Sequence, residues 1–243
     1  MELRGKTALV TGGGSGIGWG VAFALAREGC RVAISGRDGK KLQQAAGRFD
    51  AQPPILTRAC DVTDRTAVEN LVAWAIEQLG WLDIVVNSAG VNVRKRKMCE
   101  LDPVDFDRVM AINCTGFFNV LHAVLPGMRQ RRDGLIVSLS SVAGKRAWPL
   151  AGPAYCASKF AATALGTAVG LEERPNGIRI TSICPGEVDT PILDQRPVPL
   201  SAAERARMVH PEDIGACVVA LAKLPPHVIV PELIITPTYQ QYL

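Results

Sequence analysis

The amino-acid sequence predicts an α/β fold: one doubly wound domain with a seven-stranded parallel sheet and helices on both faces. Short β-branched runs alternate with longer segments of helical period, which is typical of crossover connections in a parallel sheet. A length of 243 residues suits one large domain. The alternation continues to the C-terminus without an internal repeat or a linker, so residues 1–243 are expected to form a single domain.

The strands are predicted from apolar runs that end at turn residues. In chain order they cover residues 7–10, 31–35, 55–60, 84–87, 135–139, 178–183 and 232–236. Between the first two, Ile17, Val21 and Leu25 recur at steps of four, which places them on one face of a helix that covers the sheet.

Two later helix starts can be predicted from capping residues. Asp102 followed by Pro103 is an N-cap with proline at the first helical position, and Ser201 with Glu204 forms a capping box. Residues 196–200 are predicted as a loop.

The composition indicates a globular protein with an aliphatic core. Hydrophobic residues make up 48% and aromatic residues 5%, and a net charge of +4 is too small to indicate nucleic-acid binding. The seven cysteines are odd in number and widely spaced, which is typical of reduced thiols in the cytoplasm rather than of disulfides or a metal site. No apolar stretch of membrane-spanning length occurs, so neither a membrane span nor secretion is expected.

A glycine-rich turn follows the first predicted strand and opens the first helix. The position suits a phosphate-binding turn, because glycines allow a tight turn and helix-start amides face the anion. The spacing, Gly-x-x-x-Gly-x-Gly, differs from the commonest dinucleotide fingerprint, and an isolated glycine cluster is as often a flexible loop. The residues expected to bind the cofactor here are Gly12, Gly14, Ser15, Gly16, Ile17 and Gly18.

The end of the second strand bears on cofactor choice. Position 36, where NAD-preferring sites usually have an acidic residue that binds the ribose, is occupied by Gly36. Arg37 is expected to bind the 2′-phosphate of NADP, although it also suits a solvated loop. Asp61, followed by Val62, is expected either near the adenine or at the cap of the next helix.

Tyr155 and Lys159 are four residues apart, which places a phenol and an ammonium on one helix face. A nearby cation favours the phenolate, so the pKa of Tyr155 is expected to fall toward the working range of an acid–base catalyst. Taken alone, the pair also suits an amphipathic surface.

Together these residues resemble the short-chain dehydrogenase/reductase family, whose fold is Rossmann-like. The similarity runs from about residue 5 to residue 224. It rests on the glycine turn, Asp61, Asn113, Ser141, Tyr155 with Lys159, and two further motifs: Asn87-Ser88-Ala89-Gly90 and Pro185-Gly186-Glu187-Val188-Asp189-Thr190-Pro191.

The resemblance implies roles for the four candidate catalytic residues. Ser141 would hydrogen-bond the substrate oxygen and Tyr155 would exchange its proton. Lys159 would lower the tyrosine pKa and hold the nicotinamide ribose, while Asn113 would position a water. The remaining residues implied to contact the cofactor are Asn87, Ala89, Gly90, Pro185, Gly186, Val188 and Thr190.

Two departures from the family pattern stand out. Ser88 replaces a second asparagine, and Ser141 precedes Tyr155 by one residue more than usual, which suggests an insertion between residues 145 and 153. Ser141 is preferred over Ser140 because it begins the family's serine-x-x-glycine turn.

The expected function is NADP(H)-dependent interconversion of a small ketone or aldehyde and an alcohol, with hydroxy acids and polyols among the candidates. The alternatives are an NAD-preferring alcohol or sugar dehydrogenase and a non-catalytic dinucleotide sensor. By resemblance, the chain is expected to form a homodimer or homotetramer, with its tail against a neighbouring subunit. No metal is expected.

Two segments are expected near the substrate. Residues 192–208 would form a short lid by resemblance. The basic run Arg94, Lys95, Arg96 and Lys97 is interpreted as a solvated loop, with a role in attracting a carboxylate or phosphate to the cleft as the alternative.

Overall fold

A computed structural model describes residues 1–242 of the chain. Its sheet contains seven parallel strands in the order β3-β2-β1-β4-β5-β6-β7, which confirms the predicted fold class. The strands are β1 Thr7–Thr11, β2 Arg31–Gly36, β3 Leu56–Ala59, β4 Ile84–Asn87, β5 Gly134–Leu139, β6 Ile178–Pro185 and β7 Glu232–Ile235. The predicted bounds are correct for β4 and differ by one or two residues at an end for the other strands. β6 is longer than predicted because Pro185 still pairs with Ile235.

Within residues 1–242, eight α-helices connect and cover the strands. They are α1 Gly16–Arg27, α2 Gly39–Ala46, α3 Arg65–Leu79, α4 Pro103–Met110, α5 Gly116–Arg131, α6 Pro153–Glu173, α7 Ala202–Arg205 and α8 Pro211–Lys223. Asp102 caps α4 and the Ser201–Glu204 capping box opens α7, as predicted. The α3 cap is Asp64 rather than Asp61, because the Asp64 carboxylate accepts from the amide of Ala67 at 3.0 Å.

Two apolar cores lie on opposite faces of the sheet. Successive residues of a strand point to opposite faces, so Val10 packs with α1, α2 and α8 whereas Leu9 packs with α3, α5 and α6. Helices therefore cover both faces. The stretch from Pro103 to Arg131 is long and apolar enough to cross a membrane by composition, but 56% of its apolar 18-residue window is buried inside the protein, as in a core helix.

A charged cluster lies at the amino-terminal edge of the sheet, around Asp83. Its carboxylate accepts from Arg131 at 2.8 Å, from Lys6 at 3.2 Å, and from the amide and hydroxyl of Thr7 at 2.9 and 3.0 Å. The indole of Trp81 donates to it at 3.0 Å. Burial alone would raise the pKa of Asp83, but the Arg131 hydrogen bond, with those of Thr7 and Lys6, holds it below its usual value. We call this group of residues the Asp83 cluster.

The opposite edge contains the point at which the order of the strands reverses. β1 has β2 on one side and β4 on the other, so the connections diverge and leave a crevice beyond their carboxyl ends. This geometry brings the residues that follow β1, β4, β5 and β6 to one place.

Candidate active site

A cleft of about 780 Å³ opens at the carboxyl edge of the sheet. Many of the residues predicted from the sequence line it. They are Gly12, Ser15, Gly16, Ile17, Arg37, Gly90, Ser141, Tyr155, Lys159, Pro185, Gly186, Val188 and Thr190. The other predicted residues lie behind or beside the lining, and they are Gly14, Gly18, Asp61, Val62, Asn87, Ala89 and Asn113.

The glycine turn has the shape required for a dinucleotide. Gly12 has φ +66°, and a Cβ there would lie 2.8 Å from the backbone nitrogen of Ala89. A Cβ on Gly18 would lie 2.3 Å from the carbonyl oxygen of Gly12, so the helix packs directly on the turn. Ser15 is the N-cap of α1 but makes no side-chain capping hydrogen bond. The first amides of α1 therefore lack a side-chain cap and fit a pyrophosphate.

The ends of β1 and β4 are joined behind this turn. The Thr11 hydroxyl donates to the side-chain oxygen of Asn87 at 3.2 Å and accepts from the amide of Ser88 at 3.3 Å. Asn87 and Ala89 thus support the shape of the cleft, and the Ser88 substitution leaves this connection in place.

Asp61 and Val62 stand beside the cleft in supporting contacts. One Asp61 oxygen accepts from both the amide and the hydroxyl of Thr63, at 3.0 and 2.8 Å. The carbonyl of Val62 accepts from Asn119 at 2.9 Å. Asp61 closes a turn of its own, so the alternative in which it caps the next helix is wrong.

Arg37 is exposed and lines the same cleft as Gly12 and Ser15. Asp38, the carboxylate that follows it, caps α2 by accepting from the amide of Lys41 at 3.1 Å. The side chain at this end of β2 that is directed to the cleft is therefore a cation.

Tyr155 lies in the first turn of α6, and its phenol faces Ser141. The Ser141 hydroxyl donates to the carbonyl of Pro185 at 3.5 Å and accepts from the amide of Ala143 at 3.1 Å. Its interaction with the phenol lowers the pKa of Tyr155 in part. Burial is the larger effect and raises the pKa of Tyr155 to about 12. The expectation of a lowered pKa is therefore wrong for the protein without cofactor, because desolvation disfavours the phenolate.

Lys159 is 6% exposed and lies one helical turn after Tyr155. Its ammonium donates to the carbonyl of Leu139 at 2.7 Å and lies 5.6 Å from the centre of the Tyr155 ring. Burial lowers the pKa of Lys159 to about 8. An ammonium has three N–H groups, so this buried cation has donors left for a ligand.

Asn113 lies in a π-helical turn, Ala111–Thr115, between α4 and α5. Its side-chain oxygen accepts from the amide of Val91 at 2.8 Å, and its nitrogen donates to the carbonyl of Val91 at 3.0 Å and to Ser158 at 2.9 Å. A Cβ on Gly90 would lie 3.5 Å from both Asn113 and Lys159. Asn113 therefore braces the backbone beside the lysine.

Ser140 and Ser141 have different partners. The buried hydroxyl of Ser140 is 2.6 Å from that of Thr163 and donates to the carbonyl of Lys159 at 3.3 Å, so it supports α6. Ser141 is the serine whose hydroxyl influences the pKa of the Tyr155 phenol. The geometry supports the choice of Ser141.

Arg96 does not fit the prediction for the basic run. Arg94 and Lys95 are exposed, but Arg96 is 7% exposed, and all three line the cleft. Gly152, with φ +80°, makes room for Arg96: a Cβ there would lie 2.7 Å from the arginine carbonyl oxygen. The solvated-loop interpretation is therefore wrong for Arg96 and holds for the exposed side chain of Lys97.

Further lining residues had no expected role at the site. Trp148 and Leu150 lie in the loop before α6, and Gln195 ends a short 3₁₀ turn, Pro191–Gln195, in the expected lid. Large apolar residues in a loop are the sequence signal for Trp148 and Leu150. Nothing in the local sequence marks Gln195.

The C-terminal tail folds onto the chain's own cleft. The Tyr239 hydroxyl donates to the carboxylate of Glu187 at 2.7 Å, and the amide of Glu187 donates to the Gln240 side chain at 2.9 Å. These bonds hold Tyr239 and Gln240 within the chain, and packing of the tail on a neighbouring subunit stays a prediction. Leu243 lies outside the described residues.

Comparison with known proteins agrees with this geometry. The short chain dehydrogenase family model matches residues 6–198. The chain is 37% identical over 242 residues to a glycine betaine reductase of Emericella nidulans, matching 97% of this chain but only 19% of that protein. An uncharacterized oxidoreductase of Staphylococcus saprophyticus is 33% identical, with 98% of this chain and 99% of that protein aligned.

Two solved structures are similar over almost the whole chain. An alcohol dehydrogenase from Thermococcus sibiricus complexed with 5-hydroxy-NADP has a TM-score of 0.88 at 30% identity, covering 98% of this chain and 99% of that one. A 3-ketoacyl-(acyl-carrier-protein) reductase from Brucella melitensis complexed with NADH has a TM-score of 0.85 at 25% identity, covering 97% and 98%.

Fold, cleft and glycine turn define a nicotinamide-dinucleotide-dependent oxidoreductase. The chain belongs to the short-chain dehydrogenase/reductase family. It is an enzyme that oxidises or reduces at a CH–OH centre with NAD(P).

Proposed function

We propose that the protein reduces a small ketone or aldehyde to an alcohol with NADPH, and catalyses the reverse oxidation, with Tyr155 as the proton donor and acceptor. The observation that carries the proposal is the convergence of Ser141, Tyr155 and Lys159 in one cleft, where the Lys159 ammonium lies 5.6 Å from the centre of the Tyr155 ring. A binding-only sensor would not require these three groups to converge.

The chemistry follows from the protonation states. Bound nicotinamide supplies or accepts the hydride. The raised pKa keeps Tyr155 a neutral phenol at neutral pH, ready to donate its proton as the carbonyl oxygen gains negative charge. Ser141 stabilises the same oxygen by a hydrogen bond, and the Lys159 ammonium stabilises the phenolate that the transfer leaves behind.

Several residues would hold the dinucleotide. The α1 amides after Ser15 would bind the pyrophosphate, Lys159 has donors for the nicotinamide ribose, and Thr190 with the backbone of Val188 would bind the carboxamide. One carboxylate oxygen of Asp61 accepts both hydrogen bonds from Thr63, and the second oxygen is available to a ligand. This supports a place for Asp61 near the adenine.

NADP is the preferred cofactor in this proposal, because Arg37 presents a guanidinium to the cleft and Asp38 is engaged as a helix cap. The alternative is an NAD-preferring enzyme. Exposed apolar side chains on α5 and α6, namely Phe118, Phe160 and Leu171, favour a homo-oligomer, and the free cysteines favour the cytoplasm.

The substitution Tyr155→Phe tests the catalytic proposal. Turnover should fall by about 10²–10⁴-fold, because the proton donor is removed while the ring remains. NADPH oxidation is followed by absorbance with the carbonyl compound that the wild-type protein reduces fastest, and NADPH affinity is measured by titration. Unchanged affinity with lost turnover is the expected pattern; unchanged turnover removes Tyr155 from the mechanism.

The substitution Arg37→Ala tests cofactor preference. We expect the ratio of kcat/KM for NADPH to that for NADH to fall about tenfold or more, since a charge-assisted contact to the 2′-phosphate is lost. The matched control is Arg48→Ala on the exposed surface. A ratio that stays at the wild-type value contradicts this role of Arg37.

A further inference from the structure

The guanidinium of Arg96 has an unusual set of partners. Its Nε donates to the carbonyl of Val93 at 2.8 Å, Nη1 to that of Leu150 at 3.1 Å, and Nη2 to that of Gln195. All three acceptors are neutral. Among residues 1–242 no carboxylate forms an ion pair with Arg96, so a 7% exposed cation lies in the cleft without a counter-ion.

This arrangement leaves donors available. A guanidinium carries five N–H groups in a planar fork, of which the three carbonyls use three. One N–H of Nη1 and one of Nη2 remain. Burial and the like charge of Arg196 lower the pKa of the Arg96 guanidinium, which indicates that its positive charge is poorly solvated. A buried charge of this kind favours an anionic partner.

The other charged groups of the cleft do not supply that partner. Glu187 is paired with Arg196 at 2.5 Å, and Asp105 lies 3.8 Å from Arg108. The other lining cations on this part of the wall, Arg94 and Lys95, are exposed. The excess of charge is therefore positive on this wall.

The cofactor does not neutralise Arg96 in the proposed binding mode. Its phosphates belong at the glycine turn and at Arg37. Arg96 stands instead with Trp148 and Leu150, and it is close enough to Tyr155 for its charge to act on the phenol. This is the space left for the molecule that exchanges its proton with Tyr155.

We propose that the substrate carries a carboxylate that binds the two free N–H groups of Arg96, so that the enzyme interconverts oxo acids and hydroxy acids. The inference rests on the proposed function. A carboxylate matches the guanidinium fork because its two oxygens accept from paired donors, and Trp148 and Leu150 contact the carbon chain. In the reduction, hydride adds to the carbonyl carbon and the Tyr155 proton to its oxygen, and the carboxylate is unchanged.

Arg96 also connects the cleft to the lid. Its bond to the carbonyl of Gln195 joins the loop after β4 to the 3₁₀ turn Pro191–Gln195. A carboxylate bound at Arg96 therefore lies where the lid meets the cleft wall. Loss of the arginine can disturb the lid for every substrate, so the test must separate this effect from the loss of anion binding.

The test compares matched acids and esters. Five-carbon oxo acids with the carbonyl at carbon 2, 3 or 4 are assayed against their methyl esters, which differ mainly in charge. We expect kcat/KM for the best acid to exceed that for its ester by about tenfold or more. Equal or better turnover of the esters overturns the inference and leaves the proposed function standing.

The substitution Arg96→Gln sharpens the test. It should lower the acid-to-ester ratio of kcat/KM toward one, whereas a purely structural role lowers both values equally and leaves the ratio unchanged. Lys97→Gln, in the same run but exposed and outside the cleft lining, is the control with the wild-type ratio. Arg96→Lys should give an intermediate ratio, because it keeps the charge but loses the fork.

A binding measurement separates the two proposals. Calorimetric titration of the NADP-loaded protein with the saturated carboxylate pentanoate, and with neutral pentanamide, needs no turnover. Pentanoate binding that Arg96→Gln weakens at least tenfold supports the inference even if no oxo compound is reduced, in which case the proposed function alone fails. Equal binding of pentanoate and pentanamide contradicts it.

Discussion

The two edges of the sheet treat buried charge in opposite ways. At the amino-terminal edge, Asp83 is 5% exposed and is surrounded by two cations, two backbone or hydroxyl donors and an indole. At the carboxyl edge, Lys159 and Arg96 are buried almost as deeply, yet their hydrogen bonds go to neutral carbonyls.

This difference distinguishes buried charges that stabilise the fold from buried charges that are kept for binding ligands. A carboxylate with every oxygen paired contributes stability, since removal of the group leaves its donors unsatisfied. A buried cation with unused donors lowers stability and becomes favourable when a ligand arrives. We infer that the Asp83 cluster stabilises the sheet and that the cleft retains unneutralised charge for cofactor and substrate.

The largest effect that distinguishes the edges is on turnover. Lys159→Met should lower kcat by about 10²–10⁴-fold, because the phenolate formed at Tyr155 loses its cation. Steady-state NADPH oxidation measures it, with Lys97→Met as the control for loss of a lysine in an exposed loop. A loss of less than about threefold would place Lys159 outside the proton transfer.

The next effect is on stability at the other edge. Asp83→Ala should lower the free energy of unfolding by about 3 kcal/mol. This value is at the low end of the usual cost of removing one partner of a buried ion pair, because Lys6 and Arg131 are partly exposed and can be rehydrated. Denaturant titration measures it, and the remaining folded enzyme should keep its kcat. Asp133→Ala removes an exposed carboxylate 4.0 Å from the same lysine and should change stability by less than about 1 kcal/mol.

A smaller effect is expected with pH. Burial lowers the pKa of Lys159 in the folded protein to about 8 from 10.5. Between these two pH values Lys159 is protonated in the unfolded chain but mostly neutral in the folded protein. The folded protein is therefore stabilised as pH rises, because the cost of burying a charged ammonium is removed. Wild-type stability relative to Lys159→Met should rise by roughly 1 to 2 kcal/mol between about pH 8 and about pH 9.5. Denaturant titrations of both proteins at the two pH values measure the difference, and a constant difference contradicts a buried ammonium.

Local patterns were sufficient for the fold. The β4 strand has the predicted bounds, and the glycine turn, Tyr155 and Lys159 meet in one cleft because each follows or adjoins a strand end that the parallel topology brings together. Periodicity and turn chemistry act over a few residues, and they determined these positions.

Long-range partners were not predictable in the same way. Arg96 belongs to a run of basic residues that is typical of a solvated loop. Its burial depends on Leu150 and Gln195, which are 54 and 99 residues away in the sequence. The Asp83 partners Lys6 and Thr7 are 77 and 76 residues distant, and no local pattern marks them. The sign of the Tyr155 pKa shift depends on burial, which the four-residue spacing to Lys159 does not report.

The central claim is that the cleft keeps an unneutralised buried cation at a cost to stability. The most direct measurement is the free energy of unfolding of Lys159→Met at pH 7 without cofactor. The account predicts a value equal to or above that of the wild-type protein, together with lost turnover, because an unbranched apolar side chain replaces a desolvated ammonium. A loss of about 3 kcal/mol, matching that of Asp83→Ala, would show that both edges are built for stability and contradict the account.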